Sequence, residues 1–287
     1  MKSKTMKAKK TLVKKVKKVA GKNAIYKGKS SGKKTAPASA KKLSVKKSSV
    51  KKGAVKKSGA KKSTVKKASA IKGVPEGLTL AKVAKWVEPR ISKKRFAHVQ
   101  GVVAVGQELS RLYGLNQAER FYVGLACWLH DSCKEMKDYE LVEKARDLGI
   151  ELTEIEKSSG HLLHGPVAAR LVKKELKISN KAVLAAMSQH TLGATNMTEI
   201  AKIVYLADCL EASRPDDFTQ PIWAALTGGK GRAQAVKGSL DVDKAMLVAC
   251  DLSLEHLLKS RRPIHPLTVD VRNHFLGIVR AAEKLAG

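Results

Sequence analysis

The chain has 287 residues, with 57 lysines and arginines against 25 acids and a formal net charge of +32, a balance that taken whole would suggest a nucleic-acid binder. The charge is uneven: residues 1–72 hold 27 lysines, no arginine and no acid, which leaves 30 basic and 25 acidic residues in 73–287, enough near-neutral chain for one domain with a real core. No apolar run approaches the ~18 residues of a membrane span, and lysines interrupt every short apolar run near the start, so neither a spanning segment nor a secretory signal is expected.

Residues 1–74 read as a basic tail. From Lys41 to Lys67 a Lys-Lys pair returns every five residues, at 41, 46, 51, 56, 61 and 66. A period of five matches neither helix nor strand, and lysine repulsion opposes any compact state. The tail is therefore expected to be disordered when free, and to bind polyanions such as nucleic acid through residues 1–72 by releasing counterions from phosphates. Its composition resembles the lysine-rich arms of linker-histone-like proteins. An all-lysine leader also argues against an arginine-favouring transit peptide.

Gly73-Val-Pro75-Glu-Gly77 breaks the tail from a domain at 75–287 that reads almost wholly helical. A short helix over 78–87 is ended by Pro89. Residues 93–113 carry apolar side chains at helical spacing (Phe96, Val99, Val102, Val103, Leu109, Leu112) and stop at Gly114. Asn116 can cap a helix over 117–129, which ends at His130-Asp131. Further helices are expected over 138–148, from Gly165-Pro166 to 176, and over 180–190 and 198–212. The last three span roughly 218–226, 241–259 and 266–285. Strand-like alternation is absent, so the expected class is all-α, a helical bundle behind a disordered basic tail.

Four scattered cysteines (Cys127, Cys133, Cys209, Cys250) without a C-x-x-C pair imply reduced thiols and a cytoplasmic setting. The chemistry-bearing residues are His98, His130, Asp131, His164, His190 and Asp208, a sparse set of metal-ligand types. Neighbours on a helix point about 100° apart. His130 and Asp131 can therefore converge only where the helix stops. Asp208 interrupts the apolar run Ile203-Val-Tyr-Leu-Ala207, and an unpaired buried carboxylate is costly, so a cation is expected beside it.

The order His98, His130-Asp131, Asp208 resembles the HD-domain metal phosphohydrolases. Finer segments resemble one branch, the YqeK-like symmetrical diadenosine tetraphosphatases. These are Arg95-Phe-Ala-His98, Leu129-His-Asp-Ser-Cys-Lys-Glu135, Leu162-Leu-His-Gly-Pro166 and Gln189-His-Thr191. Leu206-Ala-Asp-Cys-Leu-Glu211 and Arg262-Pro-Ile-His-Pro266 with Arg272-Asn273 complete the set. One departure is Ala212, where the family usually has a proline after the glutamate. The resemblance implies an HD-domain bundle in which His98, His130, Asp131 and Asp208 hold a first divalent metal. His164 and His190 then hold a second ion or contact the nucleotide. Asp131 and Lys134 are the implied catalytic groups, and Arg95, Thr191 and Arg214 the implied nucleotide contacts. Imidazole and carboxylate without thiolate suit Fe, with Mn or Mg as alternatives, as one ion or two. The implied reaction cuts diadenosine tetraphosphate, a dinucleoside polyphosphate, into two ADP, and a homodimer is compatible with it. Two alternatives stay open: another nucleotide substrate in the same fold, or a polyanion-binding protein that works through its tail. His161, His256, His265 and His274 read as structural, and Trp86, Trp128 and Trp223 as core.

Overall fold

Helix α3 (Gln117–Leu129) organises the bundle, because its sequence is apolar almost all round. In the computed structural model, which describes residues 71–287, Val123, Leu125, Ala126, Cys127 and Leu129 of this helix are fully buried. A helix apolar on every side belongs inside a protein. Burial of a leucine such as Leu125 or Leu129 contributes about 1.5–3 kcal/mol each. Around α3 pack α1 (Leu80–Val87), α2 (Lys93–Tyr113), α7 (Lys181–Gln189) and α8 (Glu199–Cys209). Helix α6 (His164–Glu175) packs on α7 and touches α3. A second layer is formed by α9 (Asp216–Thr227), α10 (Val242–Lys259) and α11 (Pro266–Ala286), joined to the first where α10 meets α8. No strand occurs among the described residues. The expected tail disorder lies outside the described residues.

Side-chain caps set the helix starts. Asn116 accepts from the Glu119 N–H while Glu119 accepts from the Asn116 N–H, a closed capping box. Ser92, Asn180, Thr198 and Asp241 cap α2, α7, α8 and α10 in the same sense, each worth about 1 kcal/mol. The expected long helices are present, with ends within a few residues of those read from the sequence. The largest difference is α8, which stops at Cys209 and not 212, because the chain turns back at Glu211 with the Arg214 N–H on the Glu211 carbonyl. The expected α4 (Asp138–Asp147) is present, and short elements that were not expected accompany the long helices: α5 (Glu154–Ser158) and the 3-10 turns Glu88–Arg90, Gly160–Leu163, which leads straight into α6, and Arg232–Gln234. Their few residues are too short for a helical period to be legible.

Before α1, the Gly73 carbonyl accepts from Ser179 and Asn180 N–H, and the Lys72 carbonyl accepts from Tyr122 Oη and Asn180 Nδ2. Residues 72–73 are thus fastened to the N-terminal parts of α3 and α7.

Candidate metal centre

Four helix ends and one helix interior bring the ligand-type side chains together. His130 and Asp131 follow the last turn of α3, His164 opens α6, His190 follows α7 and Asp208 lies in the last turn of α8. His98 is within α2. Gly165 lets α6 meet the end of α7: a Cβ there would stand 2.6 Å from the Met187 carbonyl oxygen and 3.1 Å from His190 Cε1.

Three imidazoles share one device. The Nδ1–H of His130 donates to the Cys127 carbonyl and that of His190 to the Met187 carbonyl, 2.7 Å in each case. His164 Nδ1 donates to the His161 carbonyl. Each acceptor lies three residues earlier, and those of His130 and His190 belong to last-turn carbonyls that a helix leaves without an intrahelical partner. A neutral imidazole that donates from Nδ1 leaves Nε2 as a lone pair, and in all three rings Nε2 is directed inward.

Those lone pairs meet Asp131. Its Oδ2 lies 3.6 Å from His130 Nε2 and 3.7 Å from His98 Nε2, and its Oδ1 lies 3.2 Å from His164 Nε2 and 3.6 Å from His190 Nε2. Asp208 Oδ1 is 3.1 Å from His98 Nε2. Two groups could therefore hold an ion: His98, His130 and Asp208, and His130, Asp131 and His190, each with ligand atoms within 4.8 Å of one another. Nε2 of His98 and of His130 are buried without a hydrogen-bond partner. His164 Nε2 and His190 Nε2 approach to 2.9 Å. Facing lone pairs beside a carboxylate oxygen fit a divalent cation, and the donors suit a hard or borderline metal.

Protonation favours His130, His164 and the carboxylates of Asp131 and Asp208 as donors, whereas at His98 burial lowers the imidazolium but Asp208 and Glu211 outweigh it and raise it above its ordinary value. Burial pushes the His164 imidazolium down to about 4 and lowers that of His130 as well, so both rings are neutral. Burial alone would raise the Asp131 and Asp208 carboxyls. Neighbouring imidazoles outweigh it at Asp131, and His98 and Arg214 outweigh it at Asp208, so both are held well below the usual carboxylate range. Burial pushes the thiols of Cys127 and Cys209 up, which leaves them protonated and outside the donor set.

Cations rim the centre. Arg95 Nη1 donates to Asp131 Oδ2 at 3.0 Å, and Arg214 Nη2 to Asp208 Oδ1 at 2.6 Å. Lys134 Nζ is 3.4 Å from His164 Nε2, and burial lowers its pKa. Thr191 Oγ1 is 3.2 Å from both His164 and His190 Nε2. A cleft of about 560 Å³ opens beside them, lined by residues that include Ser92, Lys94, Arg95, His98, Ser213 and Arg214.

Two carboxylates here were not assigned from the sequence. Glu135 accepts from the Ser92 N–H and hydroxyl, which fastens the chain after His130-Asp131 to the start of α2. Glu211 Oε2 is 3.0 Å from His98 Nδ1. His161 pairs with Asp138 through an exposed side chain, and His265 caps α11.

The HD domain family matches residues 95–213. A symmetrical bis(5'-nucleosyl)-tetraphosphatase of Staphylococcus aureus is 30% identical over 140 residues, covering 48% of this chain and 69% of that protein. The chain belongs to the HD-domain symmetrical bis(5'-nucleosyl)-tetraphosphatase family. Another member, from Halalkalibacterium halodurans, is 29% identical over 195 residues, 68% of this chain and 96% of the relative. A crystal structure of a predicted HD superfamily hydrolase involved in NAD metabolism, from Clostridium acetobutylicum, agrees with a TM-score of 0.60 at 25% identity. It covers 70% of this chain and 98% of that one. The HD-domain match spans His98 to Asp208 and Glu211, and ends one residue before Arg214.

Proposed function

We propose that the 75–287 domain hydrolyses diadenosine tetraphosphate to two ADP at a divalent metal centre held by His98, His130, Asp131 and Asp208. The observation that carries this reading is the Asp131 carboxylate, whose two oxygens serve two groups of imidazoles: Oδ2 faces His98 and His130, and Oδ1 faces His164 and His190. Asp131 would then serve both groups, and His164 and His190 would be candidates for holding a second ion in preference to contacting phosphate. Iron is the first choice, and manganese and magnesium suit the same donors. The activity named for the S. aureus and H. halodurans relatives supports the substrate.

A divalent cation held by these residues would supply a more acidic water and offset charge on the attacked phosphate. The side chains supply the rest. Asp131 and the three backbone-oriented imidazoles keep their lone pairs inward. Arg95 and Arg214 bring positive charge to the side where the cleft opens and Lys134 brings it to the His164 side, and the transition state spreads negative charge over the phosphoryl oxygens. Thr191 offers a hydroxyl at the His164–His190 edge. The polyphosphate then lies along the cleft lined by Lys94, Arg95 and Arg214, and the tail of residues 1–72 adds affinity for nucleic acid.

Hydrolysis of diadenosine tetraphosphate by protein prepared with iron or manganese, with products resolved by chromatography, tests this. ADP as sole product, lost in Asp131→Ala, is expected. AMP plus ATP would reject the symmetrical cut. Metal bound without turnover would move the search to other nucleotides.

A further inference from the structure

We infer that Glu211 is a positioning residue for His98: its carboxylate accepts the Nδ1 proton and leaves Nε2 facing the metal centre as a lone pair. This rests on the metal-centre reading above and adds a group to it.

The need arises from where His98 stands. His130 and His190 orient themselves with the free carbonyls of helix ends, and His164 with the carbonyl of a 3-10 turn. His98 is six residues into a 21-residue helix, where the carbonyls three and four residues back are engaged in the helix ladder. No backbone acceptor is free for its Nδ1, so a side chain has to provide one. A neutral imidazole carries a single proton. Were it on Nε2, the ring would present a donor to the centre, 3.1 Å from Asp208 Oδ1, where a lone pair is required.

Three features of the structure converge on this one carboxylate. Glu211 Oε2 lies 3.0 Å from His98 Nδ1. The carboxylate is clamped from behind: the Ser213 N–H donates to Oε1 at 2.9 Å and the Ser213 hydroxyl to Oε2 at 2.5 Å. Room for it is made by Gly101, where a Cβ would stand 2.7 Å from both Cγ and Oε1 of Glu211. Gly101 lies one turn after His98 on α2, and Glu211 lies two residues past the end of α8, beside Asp208, where α2 and α8 pack together. Glu211 is buried at the edge of the cleft, and its polar side-chain contacts are the Ser213 clamp and the His98 imidazole.

The test is metal affinity of the full-length protein, measured with Mn²⁺ by calorimetry under chelator competition, beside thermal unfolding of the metal-free protein. Loss of such a partner typically weakens metal binding by about 10- to 100-fold, and that is expected for Glu211→Ala. Glu211→Gln keeps an oxygen that can accept the Nδ1 proton and is expected to recover most of the loss. Gly101→Ala leaves the carboxylate chemically intact but displaces it, and is expected to weaken binding too. Unchanged affinity in Glu211→Ala overturns the proposal. So does equal weakness in the alanine and glutamine variants, since charge or loop packing would then be the cause. If Glu211→Ala does not fold, unchanged affinity in folded Gly101→Ala overturns it. A wild-type protein that binds no metal overturns the metal centre itself, whereas a normal wild type with a silent variant overturns only the role of Glu211.

Discussion

At the residue scale the centre depends on tautomers set by groups with no direct part in holding an ion. The carbonyls of Cys127, His161 and Met187 each fix one imidazole, so these positions act through backbone that any side chain would supply. His98, His130, Asp131, His164, His190 and Asp208 were legible in the sequence because their types are few and their local segments distinctive. Glu211 was named there only as part of a segment. Its contact with His98 spans 113 residues, and no local spacing reports it. Gly165 illustrates the same limit. Its missing side chain lets His164 reach His190, and Gly165→Ala would press a methyl onto the Met187 carbonyl, a backbone atom that cannot swing away. Overpacking of this kind costs about 1–3 kcal/mol. The expected outcome is a lowered Tm together with reduced hydrolysis, measured by thermal unfolding and steady-state kinetics.

At the element scale, the ligand-type side chains are concentrated where helices stop. The end of α3 carries His130 and Asp131, the end of α7 His190 and the end of α8 Asp208, so unpaired carbonyls and free backbone coincide with the ligand-type side chains. Helix α8 also shows how the two layers are joined. Lys202, on its buried side, donates to Asp243 of α10 at 2.8 Å and pairs with Glu199 at 2.6 Å. Burial disfavours its ammonium, but the two carboxylates outweigh burial and raise its pKa above the ordinary lysine value. A raised folded pKa means the stabilisation is complete below the unfolded lysine value of about 10.4 and is lost as pH climbs through the folded one. Both acids are partly exposed, so Lys202→Met is expected to change stability by only about 0.5–1 kcal/mol at neutral pH. Urea unfolding of the two proteins should converge above pH ~10.4. A gap that widens there would exclude the ion pairs as its source.

At the scale of the whole molecule, the point where the basic segment joins the domain is fixed by contacts. Tyr122 and Asn180 hold the Lys72 carbonyl at the N-terminal parts of α3 and α7. His130 and His190, whose rings are 4.8 Å apart, lie at the opposite ends of the same two helices. Eight to ten helical residues separate the two sites, roughly 12–15 Å at ~1.5 Å per residue. Removal of residues 1–70 is therefore expected to leave kcat/KM for the tetraphosphate unchanged while it weakens retention on DNA or RNA. That retention should fall steeply with salt, as counterion release requires. Loss of hydrolysis on the same deletion would tie the tail to the active centre, and salt-independent retention would count against electrostatic binding. No helix among the described residues is long and apolar enough to cross a membrane.

The amino-acid sequence alone determined the helical class, the capped start of α3, and the short set of side chains able to bind a metal. Each of these rests on local physics: apolar period, cap chemistry, and residue types with few other uses. Tertiary structure decided which oxygen of Asp131 faces which histidines, which nitrogen of each imidazole points inward, and that Glu211 and Gly101 belong with His98. Those facts depend on how close α2, α6, α7 and α8 approach one another, and that is set by packing between segments far apart in the chain.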